Sequence, residues 1–412
     1  MIGLSPHNLS GTVNAIGSKS FAHRALISAA LFGSTRVTVR GITPSEDVSA
    51  TARCLNAIGA KVELCGNEAA VCPIGEIPAE ATLDCGESGS TLRFMMPIAA
   101  ALGIKTEFVG SGRLLDRPND ELIKTLAAGG VTVENKRFLS GQLKGGDYEI
   151  SASVSSQYVT GMLFALVLAG GGTLKLNGKI VSREYLKITE SVLEDFGQTV
   201  TFSDGTYTAT AKKPTAVTDY KVEGDWSNAA FFLVAGALSS RGVTVVGLNP
   251  DSVQGDKKII DVIAAAGAEV TVSGNAVTVR KRNLNGFTAD ATDIPDAVPA
   301  ISVLAAYCAG ETAISGVERL KIKESDRLGE VIKMLGAAGI KTYGGDELRI
   351  EGGFPHGGAF DSANDHRMAM SEAILAAFAD GDSTIDGESA VKKSYPDFYK
   401  DYKKIGGVTY EI

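Results

Sequence analysis

Lys19, Ser20, His23 and Arg24 crowd into "GSKSFAHRALISAAL", at the mouth of an otherwise apolar, alanine-rich stretch. A helix beginning near Ser18 sets Lys19 and His23 four apart, and Ser20 and Arg24 likewise, on neighbouring faces of its first turns. Cations there oppose the positive pole of the helix, so they are favourable only where an anion is also expected. The group reads as half of an anion site, although taken alone it fits a solvated polar turn at least as well. Polar heads of this kind recur: Glu87, Gly89, Ser90 and Arg93; Ser155, Ser156 and Gln157; Asp225 and Ser227; Asp293 and Asp296; Asp365, His366 and Arg367. Others open amphipathic segments: Arg113 and Arg117 in "RLLDRPNDE", Ser182 in "VSREYLK", Lys323, Glu324 and Arg327 in "KIKESDRL", and Lys393 in "VKKSYPD". Arg binds carboxylate or phosphate bidentately and Lys supplies a compact charge, so two anionic groups could be held. "SVSSQ" suits phosphate at a helix N-terminus, and equally an ordinary N-cap.

A repeat must position these heads. An apolar residue, three more residues, a glycine and an alternating run recur in "LNAIGAKVEL", "LAAGGVTVE", "LEDFGQTVTF", "IAAAGAEVTV", "LGAAGIKTY" and "YKKIGGVTY". Their glycines, Gly59, Gly130, Gly197, Gly267, Gly339 and Gly406, are 67 to 72 residues apart. Each phrase predicts the last turn of a helix, a glycine at positive φ beyond it, and a strand of period two. Upstream of each lies a small apolar helix of the "SKSFAHRALISAALFG" kind, apolar on most faces and so expected inside a domain. Each unit of two helices and several strands cannot hide its own apolar face, so the units must pack together. Packed around an axis with the buried helices parallel, they bring the polar heads to one end.

Composition bounds the class. The chain has 412 residues, 44% hydrophobic and 21% charged, enough for two or three domains. A formal net charge of -8 argues against a broad nucleic-acid surface or a polybasic membrane patch. The most apolar stretches, "GMLFALVLAGGG" and "AISVLAAYCAG", fall short of the ~18 to 20 residues of a membrane span. "MIGLSPHNLSG" lacks the basic and apolar regions of a secretion signal, so none is expected there. Cys54, Cys65, Cys72, Cys85 and Cys308 form no C-x-x-C pair and have no histidine at metal spacing, which fits a reduced cytoplasmic setting.

"GSKSFAHRAL", "ESGSTLRF", "SVSSQY", "IPDA", "KESDRL", "NDHRMAM" and "KKSYP" resemble, in this order and through nearly all of the chain, motifs of the enolpyruvyl transferases. The likeness is strongest to members that join phosphoenolpyruvate to shikimate 3-phosphate. It implies an α/β (α+β) fold of two similar globular domains, each of three repeated β/α units with buried parallel helices, an inside-out α/β barrel. One domain would span 17–222 and mainly bind shikimate 3-phosphate. The other, 1–16 with 223–412, would complete the phosphoenolpyruvate site, with the active site in a cleft that closes between them. A cytoplasmic monomer is implied, with no metal, no organic cofactor and no nucleic-acid or membrane partner.

The resemblance also implies roles. Lys19, Ser20 and Arg24 would meet shikimate 3-phosphate, Arg24 at its carboxylate. Ser155, Ser156 and Ser182 would bind the 3-phosphate, Gln157 would lie between the two substrates, and Asp296 and Lys323 would face the ring. Lys19, Gly89, Arg117, Gln157, Arg327, Arg367 and Lys393 would hold phosphoenolpyruvate, Gly89 through its backbone. Asp296, with Lys19, would take the proton of the 5-hydroxyl, and Glu324 would protonate the methylene carbon. Arg93 and Arg113 would be structural or would lie behind the residues that touch substrate, while Asp326, Asp365 and His366 would hold the cations in place, His366 taken alone reading rather as a hydrogen-bonded structural histidine. Two positions depart from the pattern: Glu87 and Arg319 stand where Asn is frequent. The first bears on how phosphoenolpyruvate, or the inhibitor glyphosate, fits beside Gly89.

Three rivals are weaker. The sister transferase acting on UDP-N-acetylglucosamine typically carries a loop cysteine, and "GSGRLLDRP" has none. The RNA 3'-phosphate cyclases share related repeats, but the acidic composition and the missing nucleotide-linked histidine oppose them. A catalytically silent phosphate-binding scaffold would keep the cations and lose Asp296 or Glu324, and both are present.

Overall fold

The repeat glycines act as helix stops. In the computed structural model, which describes residues 1–214 and 216–412, Gly59, Gly130, Gly197, Gly267, Gly339 and Gly406 have φ between 71° and 100°. A side chain would be strained there, so glycine lets each helix end abruptly and the chain turn back as a strand. The six helices that they end form the outer set: α2 (Glu46–Ala57), α4 (Asp120–Ala128), α6 (Arg183–Asp195), α8 (Ile259–Ala265), α10 (Arg327–Ala337) and α12 (Phe398–Lys404). The inner set, α1 (Lys19–Phe32), α3 (Gly89–Leu102), α5 (Ser156–Leu168), α7 (Trp226–Leu238), α9 (Val298–Ala306) and α11 (His366–Phe378), is buried on nearly every face. This separation follows from composition, since an all-apolar helix loses about 1.5 to 3 kcal/mol for every large side chain left in water.

The strands form six separate four-stranded sheets among the described residues, and none closes into a barrel. All six begin with a parallel pair followed by two antiparallel pairings; in five of them the last pairing is a hairpin, and in the sixth it joins Ile2–Ser5 to Val408–Glu411. Glu80–Asp84, for example, runs parallel to Lys105–Val109, which pairs antiparallel with Phe138–Ser140 and through it with Thr132–Glu134. Three sheets take a strand from far along the chain. Asp219–Lys221 joins Val37–Arg40, Gly11–Asn14 joins Val243–Val246, and Ile2–Ser5 lies between Ser383–Asp386 and Val408–Glu411.

The chain divides into two compact units, Gly17–Val222 and Met1–Ile16 with Glu223–Ile412. Each contains three of the sheets and three inner helices, so each is mixed α/β. Within Gly17–Val222 the tightest helix crossing is that of α3 and α5, where a Cβ on Gly161 would lie 2.3 Å from the Arg93 carbonyl oxygen. Phe94 and Phe164 pack beside it with ring centroids 6.4 Å apart. In the other unit Trp226, Phe231 and Phe232 of α7 are core residues, with Tyr395 and Phe398 against Phe232. No described helix is long and apolar enough to cross a membrane.

Candidate active site

In Gly17–Val222 the polar heads sit where helices begin. Ser18 precedes α1, and the Lys19 ammonium lies 2.7 Å from Asp47, an acidic residue in the first turn of α2. Arg24 is only 2% exposed. Its guanidinium donates to Thr189 Oγ1 (2.8 Å), Thr160 Oγ1 (3.3 Å) and the carbonyls of Ser20 (2.8 Å) and Tyr185 (3.1 Å), and it stacks over Phe94. Burial lowers its pKa, because these neutral acceptors only partly replace lost hydration. His23 differs from its expected place among the cations. It is buried, Nδ1 lies 2.7 Å from Thr51 Oγ1, and burial together with Lys19 and Arg24 pushes its pKa far down, so it is neutral.

The other heads of this unit follow the same logic. Ser155 caps α5, accepting from the Gln157 amide, and Ser156 and Gln157 open the helix. Ser182, 2% exposed, precedes α6 with φ 52°, a left-handed conformation uncommon for a side-chain-bearing residue. Gly89 opens α3, and a Cβ there would lie 2.6 Å from Nη1 of the buried Arg117. Glycine thus lets a guanidinium lie directly against the helix head. The Glu87 carboxyl lies against Gly112 of the neighbouring loop, where a Cβ would come within 2.9 Å of it.

The second unit gathers its residues around one guanidinium. Arg327, 1% exposed, donates through Nε to Asp365 Oδ2 (2.7 Å), through Nη1 to Asp296 Oδ1 (2.7 Å), and through Nη2 to Glu324 Oε2 (2.6 Å) and Asp365 Oδ1 (3.2 Å). Burial opposes its charge, but Asp365, Glu324 and Asp296 outweigh that and raise its pKa well above the usual value. Asp296 also accepts from Lys323 Nζ at 3.0 Å and faces Arg367 Nη2 at 3.9 Å. Burial alone would raise the Asp296 carboxyl, yet Lys323, Arg327 and Arg367 hold it well below the ordinary carboxylate range. It is ionised at neutral pH. Lys323 is pulled down by burial and, more weakly, by Arg319 and Arg327, against the pull of Asp296 and Glu324.

Arg367, near the head of α11, donates to the Ser227 carbonyl at 2.8 Å, while its buried Nε and Ser227 Oγ have no hydrogen-bond partner among the described residues. Lys393, 5% exposed, donates to the Asn364 carbonyl at 2.6 Å. Asp365 holds Arg327 and caps α11, as expected of a residue that fixes a cation. Asp326 does otherwise: its carboxylate caps α10 through the Gly329 amide at 3.1 Å. Asp47 and Ser325, whose hydroxyl donates to Asp365 at 3.0 Å, were not singled out from sequence. Asp47 follows Glu46 just inside the helix capped by Ser45, a signal of helix start rather than of ligand chemistry.

The family model described as EPSP synthase (3-phosphoshikimate 1-carboxyvinyltransferase) matches residues 5–402. A 3-phosphoshikimate 1-carboxyvinyltransferase of Clostridium novyi (strain NT) is 37% identical over 427 aligned positions, covering 99% of this chain and 98% of the relative. The protein of the same name from Brachyspira hyodysenteriae is 36% identical, with 98% of each covered. Among solved structures, an EPSP synthase from Acinetobacter baumannii aligns with TM-score 0.83 at 25% identity, over 100% of this chain and 99% of that one. The enolpyruvyl transferase NikO from Streptomyces tendae shares the fold, with TM-score 0.77 at 19% identity, over 99% and 98% of the two chains.

Proposed function

The chain belongs to the EPSP synthase family and transfers the enolpyruvyl group of phosphoenolpyruvate to shikimate 3-phosphate, and we propose how its residues divide that work. Lys19, Ser20, Arg24, Ser155, Ser156, Gln157 and Ser182 bind shikimate 3-phosphate, joined by Asp296 and Lys323. Arg24 meets the carboxylate, since a buried cation with only neutral partners gains most from an anion. Ser155, Ser156 and Ser182 offer hydroxyls at helix starts, where the helix dipole also favours phosphate. Lys19, the Gly89 backbone, Arg117, Gln157, Arg327, Arg367 and Lys393 hold phosphoenolpyruvate. The unpartnered Arg367 Nε and Ser227 Oγ suit a ligand with several acceptor oxygens.

The observation that carries the chemistry is the convergence of Asp296 and Glu324 on the single guanidinium of Arg327. Asp296, kept ionised by its cations, accepts the 5-hydroxyl proton as that oxygen bonds to C2 of phosphoenolpyruvate. Glu324 delivers a proton to the methylene carbon, which becomes a methyl group. The resulting tetrahedral intermediate then loses phosphate from C2 and returns a methyl proton to the Glu324 carboxylate, regenerating the double bond. Arg and Lys donors already fixed in place stabilise the crowded negative charge. Neither a metal nor an organic cofactor has a step in this scheme. The same reading has a monomer working in the cytoplasm, its five cysteines free.

Phosphate release from phosphoenolpyruvate, measured separately with shikimate 3-phosphate and with UDP-N-acetylglucosamine, tests the reading. Release is expected with the first acceptor only. Release with the second, or with neither, would contradict it.

A further inference from the structure

Arg93 lies on α3, one turn past Gly89, and is 5% exposed. Its guanidinium makes three separate bonds: Nε to Asn119 Oδ1 (3.0 Å), Nη2 to the Pro118 carbonyl (3.0 Å) and Nη1 to Gln157 Oε1 (2.6 Å). The guanidinium also stacks on Tyr158, whose hydroxyl donates to the same Pro118 carbonyl. The group is held in plane from three sides. Gln157 opens α5, and its other amide end, Nε2, donates to Ser90 Oγ at 2.8 Å.

A guanidinium has donors and no acceptor, so only the carbonyl end of an amide can face it. Arg93 therefore decides which way the Gln157 amide points. With Oε1 occupied by a charge-assisted bond, the NH2 end, which has a second hydrogen beyond the one given to Ser90, is the part left for a ligand. A free glutamine presents donor and acceptor with equal ease. Here the accepting end is turned onto the guanidinium, so the donating end is the one presented.

We propose that Arg93 is a positioning residue that fixes Gln157 as an obligate hydrogen-bond donor to substrate oxygen. The inference rests on the reading that Gln157 touches the substrates. It accounts for the bond from a buried cation to the Gln157 amide carbonyl, and it makes Gln157 selective for ligand atoms that accept, such as phosphate, carboxylate or ether oxygens.

A double-mutant cycle on the full chain tests it, with kcat and KM measured for both substrates and thermal unfolding as the control for folding. Arg93→Leu should lower kcat/KM for phosphoenolpyruvate about 10- to 100-fold, the range of one charge-assisted hydrogen bond. In a Gln157→Ala background the same change should cost less than about 3-fold, because the amide it orients is gone. Arg93→Lys, which keeps one donor but not the fork, should recover part of the loss. Gln157→Glu can still pair with Arg93 but has no N–H, so it should be as impaired as Gln157→Ala. Equal costs of Arg93→Leu in the two backgrounds, or wild-type kinetics of Gln157→Glu, would overturn the proposal while leaving the site reading intact. Wild-type kinetics of Gln157→Ala would overturn the substrate role of Gln157 and the proposal with it. Should Arg93→Leu fail to fold, Arg93→Lys carries the same cycle, and equal costs in both backgrounds again refute the coupling.

Discussion

Arg327 is the residue on which most of the second cluster depends, since Asp296, Glu324 and Asp365 all accept from it. Replacing it with Met leaves these carboxylates facing one another without their shared cation. Breaking a buried pair from one side typically costs about 3 to 5 kcal/mol, so Arg327→Met should lose stability of that order along with activity. Urea unfolding checks this, and a loss under about 1 kcal/mol would mean the cluster relaxes easily. Gly89→Ala acts by contact instead. The added methyl would lie 2.6 Å from Arg117 Nη1 and displace the guanidinium, so KM for phosphoenolpyruvate should rise while binding of shikimate 3-phosphate changes little. Unchanged KM would show that Arg117 yields without consequence. Residue types at this scale were legible: the cations, the serines and the two carboxylates stand out by type and place. Their partners were not, because His23 turns on which neighbour a long-range fold supplies, and Asp326 on a choice between holding a cation and capping its own helix. His23 meets Thr51, 28 residues away, and is neutral, while Asp326 spends its carboxylate on its own helix.

At the scale of elements, α11 holds a contradiction. Its head carries Asp365 and Arg367, and its middle carries Glu372, 1% exposed, with Oε2 lacking a hydrogen-bond partner among the described residues. Burial first, then Asp361, Asp365 and Glu330, push the Glu372 carboxyl well above the usual range. A folded-state pKa raised above the unfolded one means that this contribution is complete below the ordinary Glu pKa. It is lost as pH rises from there through the raised value. Stability should therefore fall by about 1.4 kcal/mol per pH unit across that window through this group alone. Glu372→Gln should remove the decline and be the more stable protein at alkaline pH. Parallel pH profiles of unfolding free energy for the two would contradict this. The crossing of α3 and α5 gives a second test: Gly161→Val, pressed against the Arg93 carbonyl, should cost about 1 to 3 kcal/mol or more by overpacking, seen as a lowered unfolding midpoint. Helices and their stops were readable because the period of about 70 residues shows in six glycines and six apolar runs. The exchanged strands were not. Asp219–Lys221 and Gly11–Asn14 are three and four residues long, too short for a pattern, and their pairing partners lie far along the chain.

For the whole molecule, the proposed reading assigns different chemistry to the two units. Gly17–Val222 presents hydroxyls and cations at helix heads, whereas the unit of Met1–Ile16 and Glu223–Ile412 contributes the carboxylates with their cations. Substitutions at Arg24, Ser155 or Ser182 should accordingly weaken shikimate 3-phosphate binding, while substitution at Glu324 should slow proton transfer with binding preserved. Asp296→Asn should do both, since Asp296 is assigned to the 5-hydroxyl and to its proton. The measurement that tests this division most directly follows deuterium into the methylene group of phosphoenolpyruvate in heavy water with shikimate 3-phosphate present, comparing wild type with Glu324→Gln and titrating both substrates. Incorporation should fall about 10²- to 10⁴-fold in the variant, the range for loss of a general acid, with both affinities changed far less. Undiminished incorporation would contradict the account and pass the proton to another group, with Lys19 or Lys393 the next to examine.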